Sequence, residues 1–82
     1  MLPFDPDEVL LEPSKHFRNV KMRKWGWDLH DLRDALREAH RVLPQGREKL
    51  EVWTRKGGSK RLHLVYYAEE GIVFVINGTE GR

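Results

Sequence analysis

The second half of the chain alternates between apolar and polar residues with the period of two that is typical of β-strands. Three segments show this alternation: residues 49–55, 60–67 and 72–77. Gly57 and Gly58 predict a tight two-residue turn in the first hairpin, and Gly71 predicts a three-residue loop in the second. The pattern therefore predicts an antiparallel meander of three strands over residues 49–77.

The predicted register places apolar side chains on both faces of this meander. The two turns pair Trp53 with Leu62, Leu64 with Ile76, and Tyr66 with Phe74. The face that we expect helices to cover carries Trp53, Leu62, Leu64, Tyr66, Phe74 and Ile76. The opposite face carries Val52, Arg61, His63, Val65, Tyr67, Val75 and Asn77. Because this second face mixes apolar with ionisable side chains, we expect it to bind a partner or a substrate.

An N-terminal arm and a first helix precede the meander. Residues 1–13 are rich in proline and acidic residues, and residues 9–11 within them favour a short edge strand. The hydroxyl of Ser14 can accept from an unpaired backbone N–H, so Ser14 is a suitable N-cap for a helix over residues 15–24. We expect Gly26 to end this helix.

A second helix follows and is capped by Asp28. Its apolar residues recur at intervals of three and four positions: Leu29, Leu32, Leu36, Ala39 and Leu43. This spacing gives one buried stripe, and Pro44 ends the pattern. The two predicted helices together account for residues 14–43.

These elements predict one α+β domain over residues 1–82, in which two N-terminal helices pack on one face of a three- to four-stranded antiparallel sheet. We expect residues 78–82 to form a mobile tail. The lack of cysteine is compatible with a reducing compartment, and residues 1–12 contain no apolar run long enough for a signal peptide or a membrane span. We therefore expect a cytoplasmic protein without a membrane partner.

Charged residues are distributed unevenly, although the net charge is only +2. Residues 1–12 carry four acids and no base, whereas residues 13–27 carry five bases and no acid. The acidic arm either neutralises the basic helix or leaves it open to phosphate groups, and the sequence permits both alternatives. In the second case the candidate nucleic-acid-binding residues are Arg18, Lys21, Lys24, Arg55, Lys56 and Lys60.

The histidines do not predict a metal site. They stand at positions 16, 30, 40 and 63 without the spacing of zinc ligands, and the chain has no cysteine. His30 and His40 are ten residues apart on the predicted second helix, which separates them by about 15 Å. The sequence also has no glycine-rich phosphate-binding loop before a helix. It therefore predicts neither a metal nor a cofactor.

Ionisable residues on one face of the predicted sheet are the candidate catalytic residues. A ribonuclease that works without a metal must activate a 2′-hydroxyl and stabilise the charge that develops on the phosphate. His63 is the candidate base or acid, because histidine titrates near neutral pH, and Arg61 is the candidate phosphate ligand. Tyr67 is a candidate for stacking on a base or for assisting proton transfer. A single histidine on a half-buried strand is more often structural, so that alternative stays open.

Two parts of the sequence resemble a group of small bacterial proteins. The first part contains Ser14-Lys15-His16-Phe17-Arg18, Gly26-Trp27 and Ala35-Leu36, and the second contains Arg61-Leu62-His63-Leu64 and Gly71-Ile72-Val73-Phe74. Together they resemble bacterial domains of unknown function that are distantly allied to the RelE, ParE and BrnT toxins. The resemblance implies two helices on an antiparallel sheet whose open face binds RNA, a ribosome or an antitoxin protein. Trp25 stands where such relatives often have arginine, which favours a repurposed domain over an active toxin.

Three classes of function follow from these observations. The first is action on RNA, as a metal-independent ribonuclease or an mRNA interferase-like enzyme. The second is non-catalytic binding of nucleic acid through the basic residues. The third is a protein–protein interaction module, such as a homodimer, formed through Val52, Val65, Tyr67 and Val75.

Overall fold

The computed structural model describes residues 2–80 and contains a five-stranded sheet with two short helices. The strands are β1 (Leu10–Pro13), β2 (Arg41–Pro44), β3 (Lys49–Thr54), β4 (Lys60–Tyr67) and β5 (Ile72–Glu80). Helix α1 consists of a π-helical stretch, Phe17–Met22, and an α-helical turn, Arg23–Trp25, and helix α2 spans Leu29–Arg37. No helix in residues 2–80 is long and apolar enough to cross a membrane.

The predicted three- to four-stranded antiparallel sheet is wrong, because the sheet is larger and mixed. Its strand order is β1-β5-β4-β3-β2, with β1 parallel to β5 and every other neighbouring pair antiparallel. One strand therefore precedes the helices, and the chain crosses back through α1 and α2 before the other four strands form. The parallel pairing places Leu11 beside Val73, and both side chains are buried in the core.

Helix α1 lies where the sequence predicts it but is wound more widely. The Ser14 hydroxyl accepts from the backbone N–H of Phe17 at 3.0 Å and donates to the backbone carbonyl of Ile76 at 2.7 Å. Phe17 and Met22, five positions apart, are both buried, whereas Val20 is exposed. A π-helix brings residues at that spacing onto one face, which an α-helix does not. Gly26, with φ of 70°, ends the helix as predicted.

Helix α2 begins as predicted but ends earlier. The carboxylate of Asp28 accepts from the backbone N–H of Asp31, and the Asp31 carboxylate accepts from that of Asp28, which forms a capping box and lowers the pKa of Asp31. The predicted continuation to Leu43 is wrong, because residues 41–44 form β2. Val42 there lies opposite Val52 of β3. A short apolar run fits either a helix or a strand, and pairing with β3 decides the outcome.

The acidic arm pairs with two arginines of α2. Arg33 donates to the backbone carbonyls of Pro6 and Val9, and Arg37 pairs with the carboxylate of Asp7. The ring of Phe4 packs against Tyr66, with ring centroids 5.0 Å apart. The arm therefore covers the same side of the sheet as the helices. The predicted edge strand near residues 9–11 is confirmed as β1.

The predicted register of the first hairpin is wrong by one residue throughout. That of the second is wrong by one residue between its loop and Leu64, whereas Asn77 lies on the same face as His63, as predicted. Thr54 pairs with Lys60, so the first hairpin has a five-residue loop over residues 55–59. Tyr67 pairs with Ile72, so the second loop has four residues. The Lys60 ammonium donates to the backbone carbonyls of Lys56 and Gly57, at 3.1 and 2.6 Å, and thereby stabilises the wider first loop.

The register change exchanges several residues between the two faces. Val52 and Val75, predicted opposite the helices, are fully buried beneath them, whereas Trp53 and Phe74 lie on the other face. A β-bulge shifts the register between His63 and Leu64, so that His63 pairs with Asn77 and Leu64 with Val75. The residue left over is Ile76, which is 38% exposed rather than part of the core. Residues 78–80 belong to β5, so the predicted mobile tail is wrong for them, and residues 81–82 lie outside the described residues.

Candidate functional site

The open face is the side of the sheet opposite the helices and the arm. Residues of four strands form two rows across it, each row running from β2 through β3 and β4 to β5. The first row is Arg41, Trp53, Arg61 and Thr79, and the second is Leu43, Glu51, His63 and Asn77. We call the polar members of these rows the polar cluster: Arg41, Glu51, Trp53, Arg61, His63, Asn77 and Thr79. The structure thus brings the predicted residues Arg61 and His63 together.

Glu51 is the anionic centre of the polar cluster. Its side chain is only 11% exposed, and its Oε2 atom lies 3.5 Å from Nη1 of Arg61 and 3.7 Å from Nε2 of His63. A carboxylate that is shielded from water interacts more strongly with neighbouring charges than an exposed one. Glu51 was not among the predicted site residues, since only the correct register shows that it lies opposite His63.

Trp53 contributes an aromatic surface beside the ionisable groups. The guanidinium carbon of Arg41 is 5.5 Å from the Trp53 ring centroid, and that of Arg61 is 5.1 Å from it. The two arginines reach the ring from the strands on either side of β3. Such cation–π contacts hold a guanidinium in place without using its hydrogen-bond donors.

The polar cluster also contains hydrogen-bonding groups that other described residues do not satisfy. Within residues 2–80, four of its buried atoms have no hydrogen-bond partner: Trp53 Nε1, Arg61 Nε, Asn77 Oδ1 and Thr79 Oγ1. Buried polar atoms are almost always paired in folded proteins, so a concentration of unpaired ones is unusual. The cluster therefore has hydrogen-bonding capacity beyond what the fold uses.

A pocket of about 300 Å³ adjoins His63. It is lined by Gln45, Lys49, Leu50, His63, Leu64 and Ile76. Gln45 lies in the loop between β2 and β3, and Ile76 is the residue displaced by the β-bulge. The pocket combines amide and ammonium groups with aliphatic side chains, and a volume of this size is at the lower end of the range for ligand pockets.

Tyr67 lies away from the polar cluster. It is four positions from His63 along β4, a separation of about 13 Å. Its neighbours across the open face are Ile72 of β5 and, beyond it, Leu10 of β1. This end of the open face is apolar. The structure therefore brings two of the three candidate catalytic residues together and leaves Tyr67 apart.

Most of the predicted nucleic-acid-binding residues are engaged within the protein. Lys21 and Lys24 pair with Glu80, at 3.9 and 3.3 Å, and Lys56 pairs with Asp31 and Asp34 of α2. Lys60 is only 5% exposed. Arg18 and Arg55 are exposed. These contacts show how the basic helix is partly neutralised, by β5 rather than by the arm.

Glu80 links α1 to β5 through a hydrogen bond and two ion pairs. Its Oε2 atom accepts from the indole N–H of Trp25 at 2.7 Å. This hydrogen bond, together with one to the backbone N–H of Glu80 and the contact with Lys24, lowers the pKa of Glu80 to about 2. Glu80 is therefore a structural anchor for the helix side.

No cluster of three or more histidine, cysteine, aspartate or glutamate side chains suited to a metal ion occurs among residues 2–80. Comparisons of the chain with protein-family models, curated proteins and solved structures give no significant match. The resemblance to the RelE, ParE and BrnT toxins therefore remains a prediction from the sequence.

Proposed function

We propose that the open face cleaves single-stranded RNA without a metal ion, with His63 as the proton acceptor and Arg61 as the phosphate ligand. One observation carries this proposal. The partly exposed imidazole of His63 lies 3.7 Å from the shielded carboxylate of Glu51 and lines a pocket of about 300 Å³, with Arg61 two residues away on the same face. A base, a cation for the phosphate and a space for a nucleotide are thus adjacent.

The chemistry follows from these three groups. The neutral imidazole of His63 accepts the proton of a ribose 2′-hydroxyl as the 2′-oxygen attacks the adjacent phosphorus. The bond from phosphorus to the 5′-oxygen breaks, the 5′-oxygen takes a proton from water, and the imidazolium releases its proton to the remaining hydroxide. Arg61 stabilises the negative charge on the phosphate oxygens. The products are a 2′,3′-cyclic phosphate and a 5′-hydroxyl.

Glu51 acts in this scheme as a positioning residue. Its Oε2 atom lies 3.7 Å from Nε2 of the imidazole, so it orients the ring and stabilises the imidazolium that forms. It also faces Arg61, which keeps the guanidinium above Trp53. Glu51 itself does not touch the substrate.

The proposal is tested with the purified chain, a fluorescently labelled single-stranded RNA and a buffer that contains EDTA. We expect the wild type to produce fragments that end in a 2′,3′-cyclic phosphate. His63→Ala should lower the rate about 100- to 10,000-fold, the usual contribution of a general base. His30→Ala removes an exposed histidine of α2 and serves as the matched control, with an unchanged rate.

Thermal unfolding of the three proteins accompanies the assay, so that a loss of rate is not confused with a loss of folded protein. Equal rates for the wild type and His63→Ala would show that a contaminant, or another part of the chain, cleaves the RNA. Intact RNA at high protein concentration would contradict the proposal directly.

A second candidate function is binding of single-stranded nucleic acid without cleavage, and Trp53 favours it. The ring holds two guanidinium groups, whose planes can stack on bases and whose charges can hold the phosphate backbone. In that case an all-deoxy oligonucleotide binds with an affinity that falls steeply with salt, and Trp53→Ala weakens it. A ribosome, an antitoxin protein or a second copy of the chain as partner of the open face remains a prediction from the sequence.

A further inference from the structure

The pocket beside His63 lies on the opposite side of that residue from Arg61. Arg61 and His63 are about 7 Å apart along β4, and the pocket begins at His63 and continues to Gln45 and Lys49 at the start of β3. Arg61 as the ligand of the phosphate, His63 as the proton acceptor and the pocket therefore follow one another along the open face. A nucleotide has the same order of parts, from phosphate through ribose to base.

We propose that this pocket holds the base of the nucleotide whose 2′-hydroxyl reacts, and that Gln45 reads it. The inference rests on the proposed ribonuclease function. With the phosphate at Arg61 and the ribose at His63, the base on the 5′ side of the cleaved bond reaches the pocket. Ile76, which the β-bulge brings into the pocket lining, supplies an aliphatic surface against which a base can pack.

Gln45 gives the pocket its selectivity. A side-chain amide offers N–H donors beside an acceptor oxygen, and its characteristic bidentate pairing with a base is with the N7 acceptor and the N6 amino group of adenine. Lys49 offers only donors, so it does not reproduce this pairing. The backbone N–H of Gln45 donates to the carbonyl of Lys49 at 2.8 Å, which fixes the loop that carries the amide. Adenine is therefore the preferred base.

The test uses four DNA oligonucleotides that each contain a single ribonucleotide, with adenine, guanine, cytosine or uracil as its base. We expect the wild type to cleave the adenine substrate about tenfold faster than the others, consistent with one bidentate base contact. Gln45→Ala should bring the four rates within about twofold of each other. Arg47→Ala, in the same loop but outside the pocket lining, is the control and should keep the preference.

A binding experiment separates failure of the inference from failure of the proposed function. Adenosine 3′-monophosphate and uridine 3′-monophosphate are titrated into ¹⁵N-labelled protein, and the side-chain amide signals of Gln45 are followed by NMR. Cleavage of all four substrates at equal rates overturns the base pocket and leaves the ribonuclease function standing. Selective shifts with the adenosine nucleotide, but no cleavage, support the pocket and contradict catalysis. Neither binding nor cleavage overturns both.

Discussion

Lys60 and Arg61 are consecutive cations on β4 that meet aromatic rings on opposite sides of the sheet. The ammonium of Lys60 lies 5.1 Å from the ring centroid of Trp25 and 5.6 Å from that of Trp27, on the helix side. The guanidinium of Arg61 lies 5.1 Å from the ring centroid of Trp53, on the open face. The two clusters use the same residue types, yet they differ in what surrounds the cation.

The two clusters differ in how completely the hydrogen-bond donors of the cation are paired within the protein. Lys60 is 5% exposed and donates to two backbone carbonyls, so its hydrogen bonds stabilise the first hairpin loop. Arg61 has a more exposed side chain, faces the carboxylate of Glu51 and retains a buried Nε atom without a partner among the described residues. A cluster whose hydrogen-bonding groups are all paired within the protein stabilises the fold, whereas one with unpaired groups can bind a ligand. Substitutions on the two sides should therefore affect different properties.

The largest expected effect is on catalysis, through Arg61→Ala. Loss of the guanidinium removes the charge that stabilises the phosphate, so the cleavage rate should fall about 100- to 1,000-fold. The rate is measured on single-stranded RNA, alongside unfolding in urea, and the free energy of unfolding should change by less than about 1 kcal/mol. Arg23→Ala, which removes an exposed arginine of α1, is the control. If Arg61→Ala lost stability in proportion to rate, Arg61 would be structural in the same way as Lys60.

The next effect is on stability, through Gly78→Ala. Gly78 faces the helix side, whereas its neighbours in the sequence, Asn77 and Thr79, face the open side. An added Cβ at Gly78 would lie 2.8 Å from the Phe17 ring and 3.0 Å from the Trp25 ring. Overpacking of this kind should cost about 2–3 kcal/mol of unfolding free energy. Asn77→Ala, one residue earlier on the open face, should cost less than about 1 kcal/mol. Equal costs in urea unfolding would show that the two sides of β5 are packed alike.

A smaller loss of stability is expected from Lys60→Met. Methionine keeps most of the aliphatic contact with Trp25 and Trp27 but cannot donate to the carbonyls of Lys56 and Gly57. The loss of these charged hydrogen bonds should lower the unfolding free energy by about 1–2 kcal/mol, measured by urea unfolding. RNA cleavage by the folded variant should be unchanged. Lys15→Met, at an exposed position, is the control, and a Lys60→Met protein as stable as this control would contradict the structural role of Lys60.

The smallest effect is a loss of stability in Glu80→Gln that is present at neutral pH and disappears at low pH. The pKa of Glu80 is lowered from 4.5 to about 2 in the folded protein, so the carboxylate stabilises the fold fully above pH 4.5 and progressively less as the pH falls toward 2. Glu80→Gln lacks this contribution. Urea unfolding should therefore find the wild type more stable than Glu80→Gln at pH 7 and the two proteins converging near pH 2. A difference that is the same at both pH values would contradict the assignment.

The sequence predicts the composition of the open face along β4 but not across the sheet. Residues that alternate along one strand share a face whatever their partners are, so Arg61 and His63 could be placed together correctly. The face on which Glu51 and Trp53 lie depends on the register between β3 and β4, and a slip of one residue moves both to the opposite face. The five-residue loop that sets this register is stabilised by the buried side chain of Lys60, which no short-range turn rule includes.

The pairing of the outer strands β1 and β2 also could not be predicted from the sequence. Residues 41–44 continue the helical spacing of α2, so their pairing with β3 could not be read from periodicity. The strand β1 is separated from β5 by most of the chain, and a parallel pairing of that kind leaves no local signal. The two helices and their caps, Ser14 and Asp28, were predictable because the capping bonds are local.

The measurement that tests the central claim most directly uses two oligonucleotides of identical sequence, one all-deoxy and one with a single adenosine ribonucleotide. The claim is that His63, on the open face, activates a 2′-hydroxyl. We expect the wild type to cleave the second substrate at one position, 3′ to the adenosine, and to leave the all-deoxy strand intact, while His63→Ala leaves both intact. Cleavage of the all-deoxy strand, or equal cleavage of the adenosine substrate by His63→Ala, would contradict the account.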